Sequence, residues 1–558
     1  MTRHLTWLSL ILTAIGIGFR SESLAHPAHA KPVNYPFVVG FERFHSGLDD
    51  DDYLAEGGLI LLNELNCVAC HQPPKSLEAR LSGLEGTNLE GVSTRLDPLD
   101  LEIMIRNPRF VKKDTVMPSL FAGPDRALEE VEAIKQYLAT LTYDLPDYPQ
   151  GDIDAGRQLY HRIGCVGCHA PELGFRPEGI PENAEIELAG LPSVPMNLAD
   201  LYEINSLTHF FLHSNEHRPS GRMPDFRLNE EDAANLAAYL KAGPDLVLPS
   251  NLTEALTQSD RFESDISLVE RGRELFDQKN CTACHTVPGQ KGTRTRFRAT
   301  PLADLAPVSR AACMSERPVS GGVPFYGLDE VQKRAISAAL TRLGDQGKPG
   351  VAREIDWRMK QLNCYACHER GGVGGVEIAR EVYFGFESEA AMKLGRWGHL
   401  PPALDQVSAK LTKNWMNRVM FGEHGGGAVR HYMSGRMPVY RKDDVIPLLK
   451  NFDGIDSVDR SLNLGIAAHQ SGSDLIGANG KNCIQCHRLG AIRGTELPGI
   501  DLSLSPERLR FSYFQNILMD PQAMQPGTPM PDQFESGRGD KAEIGVLWRY
   551  LESLEKKK

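Results

Sequence analysis

The sequence predicts an all-α chain of five tandem units, and three recurring features predict it. A C-x-x-C-H pattern occurs five times, a helix-patterned segment precedes each copy, and a second helical segment closes each unit. The five copies are Cys67/Cys70/His71, Cys165/Cys168/His169, Cys281/Cys284/His285, Cys364/Cys367/His368 and Cys483/Cys486/His487. Ten of the eleven cysteines are used in this way, which leaves Cys313. A length of 558 residues alone suggests only three or four domains at roughly 150 residues each. The repeats outweigh that prior.

The chain begins with Arg3 and an apolar stretch from about Leu5 to Phe19, followed by small-residue patterns at Ser23-Leu24-Ala25 and Ala28-His29-Ala30. This reads as a cleavable secretory signal over residues 1–30. The stretch is shorter than the roughly 20 residues a bilayer span needs, and no other segment could span. The mature chain is expected to be exported, in the periplasm or an equivalent compartment.

Within the units, 152–163, 267–279 and 351–362 carry apolar residues at three- and four-residue spacing, the stripe of a helix with one buried face. Closing helices are expected at 126–141, 229–241, 329–343, 442–452 and 541–554. Asn229, followed by Glu230, Glu231 and Asp232, suits a helix start. Pro- and Gly-rich linkers at 144–151, 244–250, 344–350 and 453–461 divide the chain. The expected domains are 31–147, 148–248, 249–347, 348–458 and 459–558. A unit of about 100 residues is at the small end for an independent core, and a large apolar group at its centre would correct that.

Hydrophobic residues make up 41% and charged residues 24%, so disorder is not the default. With 61 basic against 73 acidic side chains the net charge is −12, which argues against a nucleic-acid binder or a polybasic membrane-surface protein.

C-x-x-C-H is the attachment pattern for c-type haem. Two thiols three residues apart reach two vinyl groups on one edge of the porphyrin, and the adjacent histidine lies under the iron. A lone C-x-x-C could also be a redox disulfide or half a zinc site. Five copies in register with five repeats favour five covalent haems, with His71, His169, His285, His368 and His487 as proximal ligands. A methionine on the far side of each haem should recur late in each unit. Met117, Met223, Met437 and Met530 each precede proline and lie between a motif and its closing helix, 46, 54, 69 and 43 residues after the histidine. Core filling explains scattered methionines such as Met104 or Met359. It does not explain one Met-Pro in each of four units.

With C-x-x-C-H early, Met-Pro late and a closing helix, the units resemble tandem class I cytochrome c domains over nearly all of the mature chain. The resemblance implies an all-α fold wrapped around covalent haem in an apolar crevice, and electron transfer. The fourth unit matches best, with Pro401-Pro402-Ala403-Leu404, a helix-like 410–421 and Met437-Pro438. In the family a proline carbonyl at that first position accepts a hydrogen bond from the proximal histidine, which implies Pro401 or Pro402 here.

The third unit departs from the pattern. Ser220-Gly221-Arg222-Met223-Pro224 aligns with Ser320-Gly321-Gly322-Val323-Pro324, and valine cannot bind iron. Met314 or Cys313 could ligate instead, a neighbouring unit could supply a side chain, or the haem at His285 stays open. An open site admits a small ligand or catalysis.

His209, His213 and His217 fall on one helical face, which suits a metal site, a distal ligand for another haem or, as the favoured reading, packing near haem propionates or at the surface. Arg222 and Arg436 each precede a ligand methionine and are candidates for propionate pairing, with solvated arginine as the plain alternative. The insert from about Gly371 to Gly398 reads as a partner-facing loop. His399, His424 and His431 share that unit.

The leading expectation is a periplasmic pentahaem cytochrome carrying single electrons between redox partner proteins, rather than an enzyme. The alternatives are a haem enzyme acting on peroxide or a small oxyanion at the third haem, and a sensor or an electron-accepting subunit of a separate dehydrogenase.

Overall fold

A computed structural model describes Pro27 and residues 33–47, 50–121, 124–177, 192–196, 201–242, 265–288, 299–305, 312–319, 323–344, 349–384, 393–422, 429–430, 433–456, 471–497, 499–534 and 538–555. Apart from Pro27, the expected signal segment lies outside them, as do His424 and His431. The helices used below are α1 (Asp51–Glu64), α2 (Pro98–Arg106), α3 (Pro124–Ala139), α4 (Ile153–Arg162), α5 (Ile204–Leu212), α6 (Glu230–Lys241), α7 (Ile266–Gln278), α8 (Glu330–Arg342), α9 (Val351–Gln361), α10 (Lys413–Phe421), α11 (Lys442–Asp456), α12 (Gly472–Ile476), α13 (Phe511–Met519) and α14 (Arg538–Glu555). The strands among the described residues are a two-residue pair, Glu369–Arg370 against Val373–Gly374. No described helix is long and apolar enough to cross a membrane.

Helix starts follow side-chain chemistry. Asp50, Asn229, Asp265 and Asp329 each accept hydrogen bonds from the free backbone N–H groups of the helix that follows, and Asp329 forms a reciprocal box with Gln332. The closing helices stand where the sequence put them, within a few residues. The fourth is longer than expected: α11 runs through the proposed linker to Asp456, whose buried carboxylate meets Arg370 at 2.9 Å.

The chain divides into two compact units, one made of 1–160, 168–175 and 190–349, the other of 161–167, 176–189 and 350–558. In the first unit the helix pairs do not follow the expected order. α1, which precedes the first motif, packs on α8, the closing helix of the third repeat. α7, which precedes the third motif, packs on α3, the closing helix of the first repeat. Glycine permits both crossings, because a Cβ on Gly58 would overlap the Ala335 carbonyl and one on Gly272 the Ala133 carbonyl. Gly156 of α4 touches Asn235 of α6 in the same way, but there both helices belong to the second repeat. The apolar core around α7 is accordingly mixed, with Leu275, Phe276 and Val287 buried among Leu89, Leu101, Ile105, Val131 and Ile134. The first and third repeats have exchanged halves.

In the second unit the repeats keep their own halves. α9 packs on α11, around Leu362, Tyr440 and Val445. α12 packs on α14, and Leu475, Ile476, Phe514, Ile544 and Trp548 fill the core of the fifth repeat. The insert of the fourth repeat is not a free loop where it is described. Arg380 is buried, is paired with Glu377 at 2.7 Å and donates to the Val166 carbonyl at 2.5 Å, with Tyr383 and Phe384 buried beside it. A buried guanidinium needs such acceptors, and they fix the segment inward.

Candidate haem-attachment sites

Each motif is set by the residue before its first cysteine. Asn66, Asn280, Asn363 and Asn482 are left-handed, with φ between 52° and 63°, and Gly164 takes the equivalent place at φ 117°. Asparagine is one of the few side chains that tolerate this region, and it stops the preceding helix. A short 3-10 turn follows, and in four motifs the histidine N–H bonds back to the carbonyl of the first cysteine, for example His71 to Cys67 at 3.0 Å and His368 to Cys364 at 2.9 Å. This turn gathers two sulfurs and an imidazole on one short arc.

All five histidines then make the same second bond. Nδ1 donates to a backbone carbonyl: His71 to Thr300 at 2.7 Å, His169 to Val194 at 2.8 Å, His285 to Thr87 at 2.8 Å, His368 to Pro402 at 2.7 Å and His487 to Ile500 at 3.0 Å. Holding Nδ1 fixes the tautomer and leaves the Nε2 lone pair for a metal, the usual arrangement of a ligating histidine. Burial keeps His285, His368 and His487 neutral by pushing their basicity down, against the carbonyl bond that raises it. The fourth repeat's carbonyl is that of Pro402, one of the two prolines expected from the sequence. Burial pushes the Cys67 and Cys281 thiols up to about 12. Cys281 and Cys483 lie on the rims of apolar cores, and Met530 lies on the same rim as Cys483. Two sulfurs three residues apart, a neutral oriented imidazole and an apolar wall fit haem c. Among the described residues, no cluster of histidine, cysteine, aspartate or glutamate could hold a bare metal ion.

Cys168 and Cys367 differ in what surrounds them. The sequence places them in separate domains, 148–248 and 348–458, each motif complete within its own repeat. In the second motif Cys165 is buried and Cys168 half-buried. Cys367, also half-buried, has its sulfur against that same turn, where a Cβ on Gly167 would meet it at 3.1 Å. The physical reason lies in what each half of the turn bonds to. The Cys168 carbonyl accepts from the Val194 N–H at 2.8 Å, which holds it to its own repeat. The Val166 carbonyl is taken by Arg380 of the fourth repeat, and Gly167 has no side chain to keep the Cys367 sulfur away. The Cys367 N–H still closes its own turn on the Cys364 carbonyl at 3.2 Å, as Cys486 does on Cys483 at 3.3 Å. The local geometry for tethering is therefore kept, while the wall around the sulfur comes from another repeat.

The absence of a metal cluster among the described residues removes the metal reading of His209, His213 and His217. The helix breaks at His213, and the three rings bond to different partners: His209 meets the Tyr148 hydroxyl at 2.6 Å, His213 meets Glu216 at 3.3 Å, and Arg95 donates to His217 at 2.6 Å. His399 is buried and bonds the Gly395 carbonyl at 2.9 Å. Arg222 pairs with the buried Glu64, so its charge is already met within the protein. The Arg436 N–H donates to the Ile163 carbonyl at 2.9 Å.

Residues 153–243 and 269–318 match the sequence model of the family described as Cytochrome c. The match supports a c-type cytochrome. No curated protein and no solved structure matches the chain. The first matched segment spans the second repeat of the chain, from α4 through α6. The second runs from α7 past the third motif and stops before Val323 and α8. A cytochrome c domain implies covalently held haem and haem-based electron transfer.

The sequence missed the partner carbonyls Thr87, Thr300, Val194 and Ile500. Gly58, Gly156 and Gly272, each nine residues before a first cysteine, were a readable sign of a close helix crossing. They do not say which helix is crossed.

Proposed function

We propose that the chain is an exported cytochrome with five covalent haems, carrying single electrons between redox partner proteins. The observation that carries this reading is the five-fold recurrence of one device, a C-x-x-C-H turn whose histidine gives Nδ1 to a backbone carbonyl. Bound haem supplies the one-electron iron couple. The chain's part is to tether each ring through two cysteines, present Nε2 below the iron and keep water out with an apolar wall. Met117, Met223, Met437 and Met530 are the proposed distal ligands, and a His/Met pair favours a higher potential. Within the first unit two attachment motifs lie side by side: Asn66 donates to the Cys284 sulfur at 2.9 Å, and Asn280 approaches the Cys70 sulfur at 3.9 Å. Adjacent ring edges suit relay more than isolated storage.

Intact mass of protein matured in a haem-ligating host is expected to show five added haems, and coulometric reduction five one-electron equivalents. Fewer tethered haems would overturn this reading.

A further inference from the structure

We infer that the exchange of halves also exchanges the distal ligands: Met117 serves the iron on His285, and the iron on His71 is the one without a Met-Pro ligand. The inference rests on the haem reading above and reverses the expectation that the third motif holds the open site.

Three observations place Met117 over the third motif. After the first motif the chain crosses over, and Gly86 donates to the Cys284 carbonyl at 2.6 Å, Thr87 accepts from His285 at 2.8 Å, and Leu89 donates to the Thr286 carbonyl at 2.9 Å. The next helix, α2, then buries Leu101 and Ile105 in the core that holds Leu275, Phe276 and Val287, with Cys281 on its rim. Phe121, four residues after Met117, packs on that core, and Lys279, just before the third motif, lies over its ring at 5.3 Å. Lys279 also reaches Glu130 of α3 at 2.6 Å. Met117 therefore lies on a stretch whose two ends both close on His285's side.

The converse holds for the first motif. Ala299 donates to the Cys70 carbonyl at 3.1 Å, Thr300 accepts from His71, and Leu302 donates to the Gln72 carbonyl at 3.0 Å. Tyr326, three residues after Val323, donates to the Leu65 carbonyl at 2.8 Å at the end of α1. The stretch from Thr300 to α8 that closes over His71 carries valine where its counterpart carries Met117.

The test is a mutant cycle on the haem-loaded full chain, read by the near-infrared sulfur-to-iron charge-transfer band and by EPR. Met117→Ala is expected to remove about one quarter of the band, four His/Met haems being present, and to add one high-spin haem. In a Cys281→Ala/Cys284→Ala background, Met117→Ala should change nothing further. In a Cys67→Ala/Cys70→Ala background it should still remove its share. The opposite pattern overturns the inference, as does a Met117→Ala protein with an unchanged band, while five tethered haems in either case leave the functional reading standing. Should a cysteine-pair variant fail to fold, 13C-methyl methionine labelling of the reduced, intact chain replaces it. Cross-relaxation through the ring from the Met117 methyl should reach the Cys281 and Cys284 thioether protons. Transfer to those of Cys67 and Cys70 overturns the assignment.

Discussion

The first and third repeats and the fifth repeat solve one problem in two ways. In the fifth, α12 and α14 meet each other, His487 finds its carbonyl at Ile500, and Met530 shares a wall with Cys483, all from one stretch of chain. In the first and third, the helix pairings and the His–carbonyl bonds run between the repeats, 229 residues apart for His71 and 198 for His285, yet the His–carbonyl bonds have the same length to within 0.3 Å. The site is specified by local pieces, and the pieces do not need to be neighbours in sequence. Contiguity decides how a repeat stands alone.

That difference sets the largest expected effect. Excised residues 33–143 carry α1 without α8 and α3 without α7, so half their buried face is unpartnered, and no cooperative thermal transition is expected by calorimetry. Excised residues 471–555 keep α12, α13 and α14 around one core and should melt cooperatively once haem is attached. Equal behaviour of the two fragments would break the comparison.

Next come the helix crossings. Gly272→Leu would force α7 from α3, and Gly58→Leu would force α1 from α8, each costing roughly 3 kcal/mol or more by overpacking. Gly344→Ala, where nothing lies within 4 Å, is expected to stay within about 0.5 kcal/mol of the parent by chemical denaturation. In the second unit, Arg380→Met leaves the Val166 carbonyl and the Glu377 carboxylate without their partner, and should cost about 2 kcal/mol in the same measurement.

The smallest effect is one of pH. Burial, with the Arg95 charge beside it, holds His217 down to about 3. An unfolded imidazole titrates near 6.5, so below that pH the unfolded chain takes up a proton that the folded chain refuses. This contribution is complete above about pH 6.5 and is lost as the pH falls toward 3. His217→Phe should flatten the acid slope of the thermal midpoint over that window, and an unchanged slope would show that His217 does not carry it.

Much of this was legible in the sequence, because it is local. Five C-x-x-C-H turns and the helical stripes beside them follow from residues close together in the chain, and the family resemblance pointed to a carbonyl at Pro401 or Pro402. What was not legible depends on matching distant surfaces. α3 and α8 both offer a small-residue face to an incoming glycine helix, Ala133 in one and Ala335 in the other, and nothing nearby says which glycine each receives. The setting of Cys367 was hidden for the same reason, since the glycine that makes room for its sulfur belongs to the turn ending in Cys168, two hundred residues earlier. The insert was expected as a partner-facing loop, and the inward setting of Arg380 was not legible because it depends on a carbonyl more than 200 residues away. Asp453-Gly454 looked like a linker because the Arg370 that holds Asp456 lies in another part of the repeat.

The exchange of halves is the central claim, and zero-length cross-linking of the native, haem-loaded chain tests it most directly. Carbodiimide treatment followed by peptide mass spectrometry is expected to join Lys279 to Glu130, a 2.6 Å ion pair between the third and first repeats. Lys279 joined instead to an acidic residue of 329–343 would mean that each repeat closes on its own helix, and would contradict the account.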